Sequence, residues 1–277
     1  MTTAAAYLES VISTATPSAE SRRKASINRT SIDAWLTKDL GILRVFETGS
    51  WSHGTAAAPW SDVDYFSSMP GVRPNNSATD LETLRKSLAA RFPGTWVRVT
   101  RPAVAIAFAD APDVEITPAH LSWGGDYLIP DPQGTGWIKS NPLKHNEYVN
   151  QTRDQIPEAK SFIRLLKRWK YQQRVPVASL YLEMRAAKYL RDHKPYLLLW
   201  DLAGFFGELK RLELADMNDP SLFDGRRIVA CSASERTTAL GAVDIAARAS
   251  DLARECQREG NEDLARRALR ILFERSS

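Results

Sequence analysis

The spacing of apolar residues in the first half of the chain alternates between the pattern of strands and the pattern of helices. Apolar or alternating runs predict strands at residues 42–48, 62–69, 96–100, 103–109 and 113–119. Apolar residues at helical spacing predict amphipathic helices at residues 20–40, ending at Gly41, and 78–91. This order of elements predicts an α+β fold, in which a small mixed sheet is flanked by helices.

The second half of the chain is predicted to be mainly helical. Residues 121–151 are rich in Pro and Gly, so we expect a long loop that connects two domains. Helical spacing then predicts helices at residues 153–171, 176–190, 196–212, 233–258 and 261–275. We therefore expect a sheet-containing core with an N-terminal helix at residues 1–150 and a helical lobe at residues 151–277. The sequence has no internal repeats, and no flexible linker separates the two lobes.

Gly49 and Ser50 stand where the first predicted strand gives way to a helix, and Thr55 follows in a Gly-Thr pair. The backbone of such a turn directs unpaired N–H groups at one spot, which favours an anion such as a phosphate. A lone Gly-Ser is an ordinary turn in most proteins. The phosphate interpretation is favoured here because paired acidic residues follow on the next strand.

Asp62 and Asp64 lie two positions apart on the second predicted strand, so both carboxylates fall on one face. The strand at residues 113–119 carries Asp113 and Glu115 in the same relation. Because apolar residues flank Glu115, it falls inside the sheet, where a carboxylate is costly unless it is paired or metal-bound. Asp113 fits an acid at a strand end that faces water. Together the turn and the acids predict a site for magnesium ions that carry a nucleoside triphosphate.

The stretch Phe-Glu-Thr-Gly-Ser-Trp-Ser-His-Gly-Thr, followed by Ser-Asp-Val-Asp-Tyr-Phe, resembles the polymerase-beta-like nucleotidyltransferases. Within them it resembles the CD-NTases, bacterial relatives of cyclic GMP-AMP synthase and the oligoadenylate synthetases. The resemblance covers residues 46–230, judged by the placement of motifs. It implies a polymerase-beta-like catalytic core and an oligoadenylate-synthetase-like helical lobe that closes over the nucleotide.

The resemblance also implies roles for the matching residues. Asp62 and Asp64 would hold two Mg²⁺ ions, or Mn²⁺ in their place. Glu115 matches the family's third carboxylate, which is often Asp, and would hold the ion on the acceptor side. The residues that would cradle the donor phosphates are Gly49, Ser50 and Thr55.

The predicted helix at residues 153–171 carries an apolar stripe and a cationic stripe. A cationic face is by default only solvated, but the family's Arg-Leu-Leu-Lys-x-Trp pattern implies that Lys167 contacts the triphosphate. Ser179 matches a family serine that binds nucleotide, whereas the aromatic residue expected beside it is Leu180 here. The nearest ring, Tyr181, faces about 100° away around a helix, so it fits the core as well as a base contact.

The composition of the chain limits the class of protein further. Of the 277 residues, 43% are hydrophobic and 25% are charged, which is ordinary for a soluble globular protein. The net charge of +4 fits a polyphosphate ligand, but solubility explains it equally well. Cys231 and Cys256 lack metal-ligand spacing, so we expect free thiols and no zinc site. Neither a signal-like N-terminus nor a long apolar run occurs, so we expect a cytoplasmic protein with no membrane partner.

These features predict a metal-dependent nucleotidyltransferase. As the resemblance to CD-NTases implies, it would make a cyclic di- or trinucleotide second messenger from nucleoside triphosphates, release pyrophosphate and act in anti-phage defence signalling. Its partners would be those triphosphates and a downstream effector that binds the product, with no stable nucleic-acid partner. Two alternatives stay open: an enzyme that adds nucleotides to an RNA 3′ end, as CCA-adding enzymes do, and an inactive nucleotide-binding sensor.

Overall fold

The computed structural model of the protein describes residues 3–220 and 227–274. The chain divides into two compact units. The first, which we call the sheet unit, consists of residues 17–146, and the second, the helical unit, consists of residues 1–16 and 147–277. The division after residue 146 lies close to the predicted boundary after residue 150. Residues 1–16, however, group with the second unit and not with the first.

The helices have well-defined bounds. They are α1 (Ala4–Ala15), α2 (Ala19–Leu40), α3 (Gly49–Ser52), α4 (Ala78–Arg91), α5 (Pro142–Gln155), α6 (Ala159–Gln172), α7 (Ser179–Asp192), α8 (Leu198–Arg211), α9 (Arg236–Arg258) and α10 (Glu262–Phe273). The strands are β1 (Arg44–Thr48), β2 (Val63–Ser68), β3 (Trp96–Thr100), β4 (Ala103–Ala107), β5 (Val114–Leu121), β6 (Tyr127–Pro130), β7 (Trp137–Ser140), β8 (Met217–Asn218) and β9 (Arg227–Ile228).

The helix α2 begins and ends where local chemistry dictates. The Ser18 hydroxyl accepts a hydrogen bond from the Ser21 N–H, which satisfies one of the free donors of the first turn. Gly41 ends the helix in the left-handed conformation, with φ of 66°, and its N–H bonds the last-turn carbonyls of Leu36 and Thr37. The prediction of a helix at residues 20–40 that ends at Gly41 is confirmed.

The sheet unit contains a mixed sheet with strand order β1-β2-β5-β4-β3. The central pair β2 and β5 runs parallel, whereas β1 and β4 pair antiparallel with them. The strands β6 and β7 continue from β5 as an antiparallel extension. A mixed sheet with flanking helices is the fold class predicted from the sequence, and that prediction is confirmed.

The two faces of this sheet are packed differently. On one face Val63, Tyr65 and Ile116 are buried in a single apolar cluster with residues of α2 and α4. Successive strand residues point to opposite faces, so Asp64 and Glu115 lie on the face away from these two helices. The sheet thus separates its packed core from the side that carries the acids.

The prediction of a loop over residues 121–151 is wrong in part. The strands β6 and β7 and the first part of α5 lie there. The Gly and Pro residues that suggested a loop are concentrated in two turns, near residues 122–126 and 131–136. The strands β6 and β7 have only four residues each, which is too short for an alternating pattern to be recognised.

The helical unit is built around one large apolar cluster that contains residues of α1 and of α6 to α10. The predicted apolar stripe of α6 is buried, and its members are Phe162, Leu165, Leu166 and Trp169. The helix α7 begins at Ser179, later than the predicted start at Pro176, because extended backbone at Ala178 bonds the Ala230 carbonyl instead. The predicted end of the last helix, Arg275, lies outside the described residues.

In residues 3–220 and 227–274, no helix combines the length and the apolar character needed to cross a membrane. Cys231 and Cys256 form no disulfide, as expected.

Candidate active site

Two of the predicted acids lie side by side at the start of the parallel strands. Asp64 on β2 is in register with Glu115 on β5, and on its other side it is in register with Thr48 at the end of β1. Asp62 directly precedes β2. Asp113 precedes β5 and is exposed, and its carbonyl accepts a hydrogen bond from the Val63 N–H at 2.8 Å. The sheet therefore brings the three predicted acids together at the N-terminal ends of β2 and β5.

The Gly-Ser turn packs directly against the start of β2. Gly49 begins α3, a single helical turn after β1, with a positive φ of 61°. A β-carbon built on Gly49 would lie 2.1 Å from Oδ2 of Asp64, closer than any real contact allows. Only glycine combines this backbone conformation with this approach. The predicted phosphate turn and the first acid strand are thus neighbours in space.

Thr55 is a buried residue that stabilises the Gly-Ser turn. Its side chain is fully buried, and its backbone N–H donates to the Ser50 carbonyl at 2.8 Å. The Thr55 hydroxyl also donates to that carbonyl, at 3.4 Å. Ser50 itself is half-buried. Thr55 therefore holds the Gly-Ser turn in place and does not present its hydroxyl at the surface.

Trp51 is a contributor that the sequence analysis did not identify. Its indole Nε1 donates to the Ser61 carbonyl at 3.1 Å, and the Ser61 hydroxyl accepts from the Ala57 N–H at 2.9 Å. These bonds tie the turn after β1 to the residue just before Asp62. No spacing rule could have indicated them, because they depend on how the intervening loop folds back.

The charges of these acids act on one another. Burial raises the pKa of Asp62, and the nearby charge of Asp113 raises it further. Burial also raises the pKa of Glu115, and the charge of Asp62 adds to the rise. The hydrogen bond that Thr100 Oγ1 donates to Glu115 Oε1 at 3.3 Å opposes this shift. In the described parts of the chain, no cation lowers the pKa of either residue.

These acids fit a divalent metal ion that arrives with its substrate. Carboxylate oxygens are the ligands that Mg²⁺ prefers. In the ranges that the structure describes, no three His, Cys, Asp or Glu side chains form a ready-made metal-binding group. Mg²⁺ is often held by one or two carboxylates together with substrate phosphates and water. These neighbouring acids therefore suit a metal–nucleotide complex better than a permanent structural ion.

In the helical unit, the structure gives Lys167 a protein partner. Its side chain is 1% exposed, and its Nζ lies 2.5 Å from Oε2 of the equally buried Glu183. Ser179, at the start of α7, accepts a hydrogen bond from Lys170. Tyr181 is fully buried, and its hydroxyl donates to the Ala215 carbonyl at 3.0 Å. Of the two roles left open for Tyr181, the core role is the one that the structure supports.

Comparison with known proteins decides the family. Residues 1–152, more than half of the chain, match the Second Messenger Oligonucleotide or Dinucleotide Synthetase (SMODS) domain family. The chain belongs to this family. The predicted membership in the CD-NTases is thereby confirmed, and the predicted enzyme class, a nucleotidyltransferase, is the class of these SMODS proteins.

Individual relatives agree with the SMODS assignment. The CBASS oligonucleotide cyclase CdnC of Escherichia coli (strain KTE188) is 26% identical over 168 residues. That match covers 54% of this chain and 51% of CdnC, so the chain spans about half the length of this relative.

Two solved structures share the fold of nearly the whole chain. The structure of E. coli MS115-1 CdnC with ATP has a TM-score of 0.72 at 19% identity and covers 94% of each chain. The Bradyrhizobium diazoefficiens CD-NTase CdnG in complex with GTP has a TM-score of 0.76 at 14% identity and covers 98% of each chain. At these identities the likeness concerns the fold alone.

Proposed function

We propose that the protein joins nucleoside triphosphates into a cyclic di- or trinucleotide and releases pyrophosphate. The observation that carries this proposal is the register of Asp64 with Glu115, with Gly49 packed against Asp64. This arrangement combines a turn suited to phosphates with acids suited to metal ions. A nucleotidyl transfer needs both and needs no nucleophile from the protein, because the acceptor hydroxyl belongs to the substrate.

Different residues of the sheet unit would bind the metal ions and the donor phosphates. Asp62 and Asp64 would hold two Mg²⁺ ions, or Mn²⁺ in their place, and Glu115 would complete the position on the acceptor side. Such ions, when bound, lower the pKa of the acceptor hydroxyl and neutralise the departing pyrophosphate. Gly49 and Ser50 would place the donor phosphates.

The relatives support a nucleoside triphosphate as substrate. CdnC of E. coli is an oligonucleotide cyclase, and solved structures hold ATP with CdnC and GTP with CdnG. We accordingly propose purine nucleoside triphosphates as first candidates. From the resemblance to CD-NTases we further propose that the product acts in anti-phage defence in the cytoplasm, where a downstream effector binds it.

Two other functions are less well supported. An enzyme that extends RNA needs a long cationic track for phosphates, whereas the net charge here is only +4. An inactive sensor has no use for a half-buried Glu115 beside Asp64, because acids in such a place destabilise the fold unless a cation joins them.

The deciding experiment is incubation of the purified protein with four labelled nucleoside triphosphates and Mg²⁺ or Mn²⁺, followed by mass spectrometry. We expect a small product that resists phosphatase, because a closed ring has no terminal phosphate. If product forms only when RNA is added, and the RNA grows at its 3′ end, the tailing function replaces the cyclase. Binding of nucleotide with no product under any condition would favour the sensor.

A further inference from the structure

The strand β4 carries side chains of different size on its two faces. Val104 and Ile106 are buried in the apolar cluster that includes residues of α2 and α4. Because successive residues of a strand point to opposite faces, the alanines of β4 lie on the other face, which also carries Asp64 and Glu115. These alanines are Ala103, Ala105 and Ala107. On the face with the acids, β4 therefore presents methyl groups alone.

Glu115 has an acid on one side in the sheet and an alanine on the other. Its register partner on β2 is Asp64, and its register partner on β4 is Ala105. Glu115 Oε1 accepts a hydrogen bond at 3.3 Å from the hydroxyl of Thr100, the last residue of β3. Since β4 lies between β5 and β3, this bond draws the Glu115 carboxylate away from Asp64 and so separates two like charges.

This contact depends on the sizes of two side chains. Neighbouring strands lie about 4.8 Å apart, so β5 and β3 are separated by about 10 Å and the contact has to cross β4. The methyl group of Ala105 leaves that path open, whereas a branched side chain would obstruct it. An aspartate in place of Glu115 would be one methylene group shorter, and its carboxylate would not reach Thr100.

Thr100, and not the nearby cation Arg98, is the hydrogen-bond donor to Glu115. Arg98 on β3 is in register with Ala105, but its Cζ lies 3.9 Å from the centre of the Trp96 ring. Among the residues that the structure describes, Thr100 alone donates a hydrogen bond to the Glu115 carboxylate. A neutral hydroxyl therefore orients this carboxylate.

We propose that Thr100, together with the small Ala105, positions Glu115 so that Oε2 is the oxygen presented to a metal ion. The proposal rests on the proposed function, in which Glu115 completes the position on the acceptor side. A side chain that is already held in one orientation loses less freedom on binding than a mobile one does. Removal of a hydrogen-bond partner from a metal ligand typically lowers metal affinity or activity by about 10- to 100-fold.

Binding of Mn²⁺ to the full chain with a non-hydrolysable ATP analogue, followed by electron paramagnetic resonance, tests the proposal without turnover. Thr100→Val keeps the shape of the side chain and removes the hydroxyl, so the Mn²⁺ concentration at half saturation should rise about tenfold. Thr100→Ser restores a hydroxyl and should bind nearly as the wild type does. The control is Thr95→Val, the same change just before β3, which should leave binding unchanged.

A double-mutant cycle with Glu115→Asp separates positioning from a merely structural role. The aspartate keeps a carboxylate but does not reach Thr100. Thr100→Val should therefore cause no further loss of Mn²⁺ binding in the Glu115→Asp protein, because the interaction between the two positions is already gone. If Thr100 only stabilised the end of β3, its substitution would cause the same loss in both backgrounds.

Substitution of Ala105 tests the path of the Glu115 side chain. Ala105→Val places a branched group between β5 and β3 and should raise the half-saturating Mn²⁺ concentration about as much as Thr100→Val does. Ala107→Val makes the same change on the same face of β4, at the residue in register with Trp96. This control should bind Mn²⁺ as the wild type does.

The outcomes separate this inference from the proposed function. Thr100 is not a positioning residue if Thr100→Val or Ala105→Val binds Mn²⁺ as the wild type does, or if Thr100→Val is equally harmful in the Glu115→Asp protein. Turnover of nucleoside triphosphates by the wild type would leave the proposed function standing in that case. If Mn²⁺ binding depends on Thr100 as expected but no product forms under any condition, the inference stands and the proposed synthesis fails.

Discussion

Gly49 and Asp64 are so close that a β-carbon on the glycine would lie 2.1 Å from Oδ2 of the aspartate. Gly49 begins α3 directly after β1, Asp64 lies on β2, and β1 and β2 pair antiparallel at this point. The turn at Gly49 and the strand that carries Asp64 are consequently in direct contact. Any side chain at position 49 must displace the carboxylate that the proposed chemistry requires.

We expect Gly49→Ala to abolish product formation. The new methyl group would push the Asp64 carboxylate away, and alanine would also be strained at a φ of 61°. The strain should cost about 1–2 kcal/mol of the free energy of unfolding, with a further cost from the clash. Turnover and urea denaturation of the same preparation measure the two effects.

Gly94→Ala is the matched control. Gly94 has a positive φ of 81°, but a β-carbon there would meet nothing within 4 Å. This variant should lose about 1–2 kcal/mol from backbone strain and keep its activity. If Gly49→Ala and Gly94→Ala behave alike in both assays, the close approach to Asp64 has no role in catalysis.

The double variant Asp62→Asn with Asp64→Asn should fold and make no product, because amides bind divalent ions poorly. With the wild type, Mg²⁺ and a non-hydrolysable ATP analogue together at ten times their dissociation constant should add about 1.4 kcal/mol of stability. Thermal melting should show that this gain is lost in the double variant.

A control with the same change in charge is Asp110→Asn with Asp113→Asn. Both of these acids are exposed and precede β5, so the stabilisation by Mg²⁺ and nucleotide should persist. Turnover by a folded Asp62→Asn, Asp64→Asn protein would contradict the assignment of these two acids as metal ligands.

Glu115→Gln should stop bond formation while nucleotide binding survives, since the phosphates are held by other residues. Loss of a group that stabilises a transition state typically lowers turnover by about 10²-fold or more. Calorimetry gives the nucleotide affinity and mass spectrometry gives the rate. Asp113→Asn alone should retain turnover, and the opposite result would transfer the role from Glu115 to Asp113.

Glu183→Gln should destabilise the helical unit by about 3–5 kcal/mol, because it removes the carboxylate that neutralises the buried Lys167 ammonium group. Chemical denaturation measures this loss. The double variant Lys167→Met with Glu183→Met should recover most of it, since apolar residues can replace a buried ion pair. An exposed pair offers the comparison: Asp192→Asn should cost less than about 1 kcal/mol.

The strands that carry the acids could be predicted because alternation depends on local sequence alone. Asp64 and Glu115 were each expected on a sheet face, and the structure places both there. Their direct opposition could not be predicted, because the register of two strands distant in sequence is set by packing against α2 and α4. The turn at Gly49 was predicted from the residue type. The sequence could not show why position 49 requires glycine, because the reason is the close approach of the Asp64 carboxylate.

Lys167 shows where a helical pattern is insufficient. The spacing along α6 assigned it to the cationic stripe, but its partner Glu183 lies on another helix. The spacing of apolar residues along either helix does not indicate a buried ion pair between the two helices. Helix α1 was not predicted either: the Thr3 hydroxyl caps it locally by accepting from the Ala6 N–H, but its buried face is defined by packing against the rest of the helical unit.

Correct folding and the proposed chemistry both depend on the parallel register of β2 and β5. A shift of one residue along β2 would turn Asp64 toward the apolar cluster under α2 and α4 and bring Val63 to the acid face. Burial of that carboxylate among aliphatic side chains would be prohibitively costly. The misregistered chain would therefore be less stable and would also lack the side-by-side placement of Asp64 and Glu115, so correct folding and the proposed activity would be lost together.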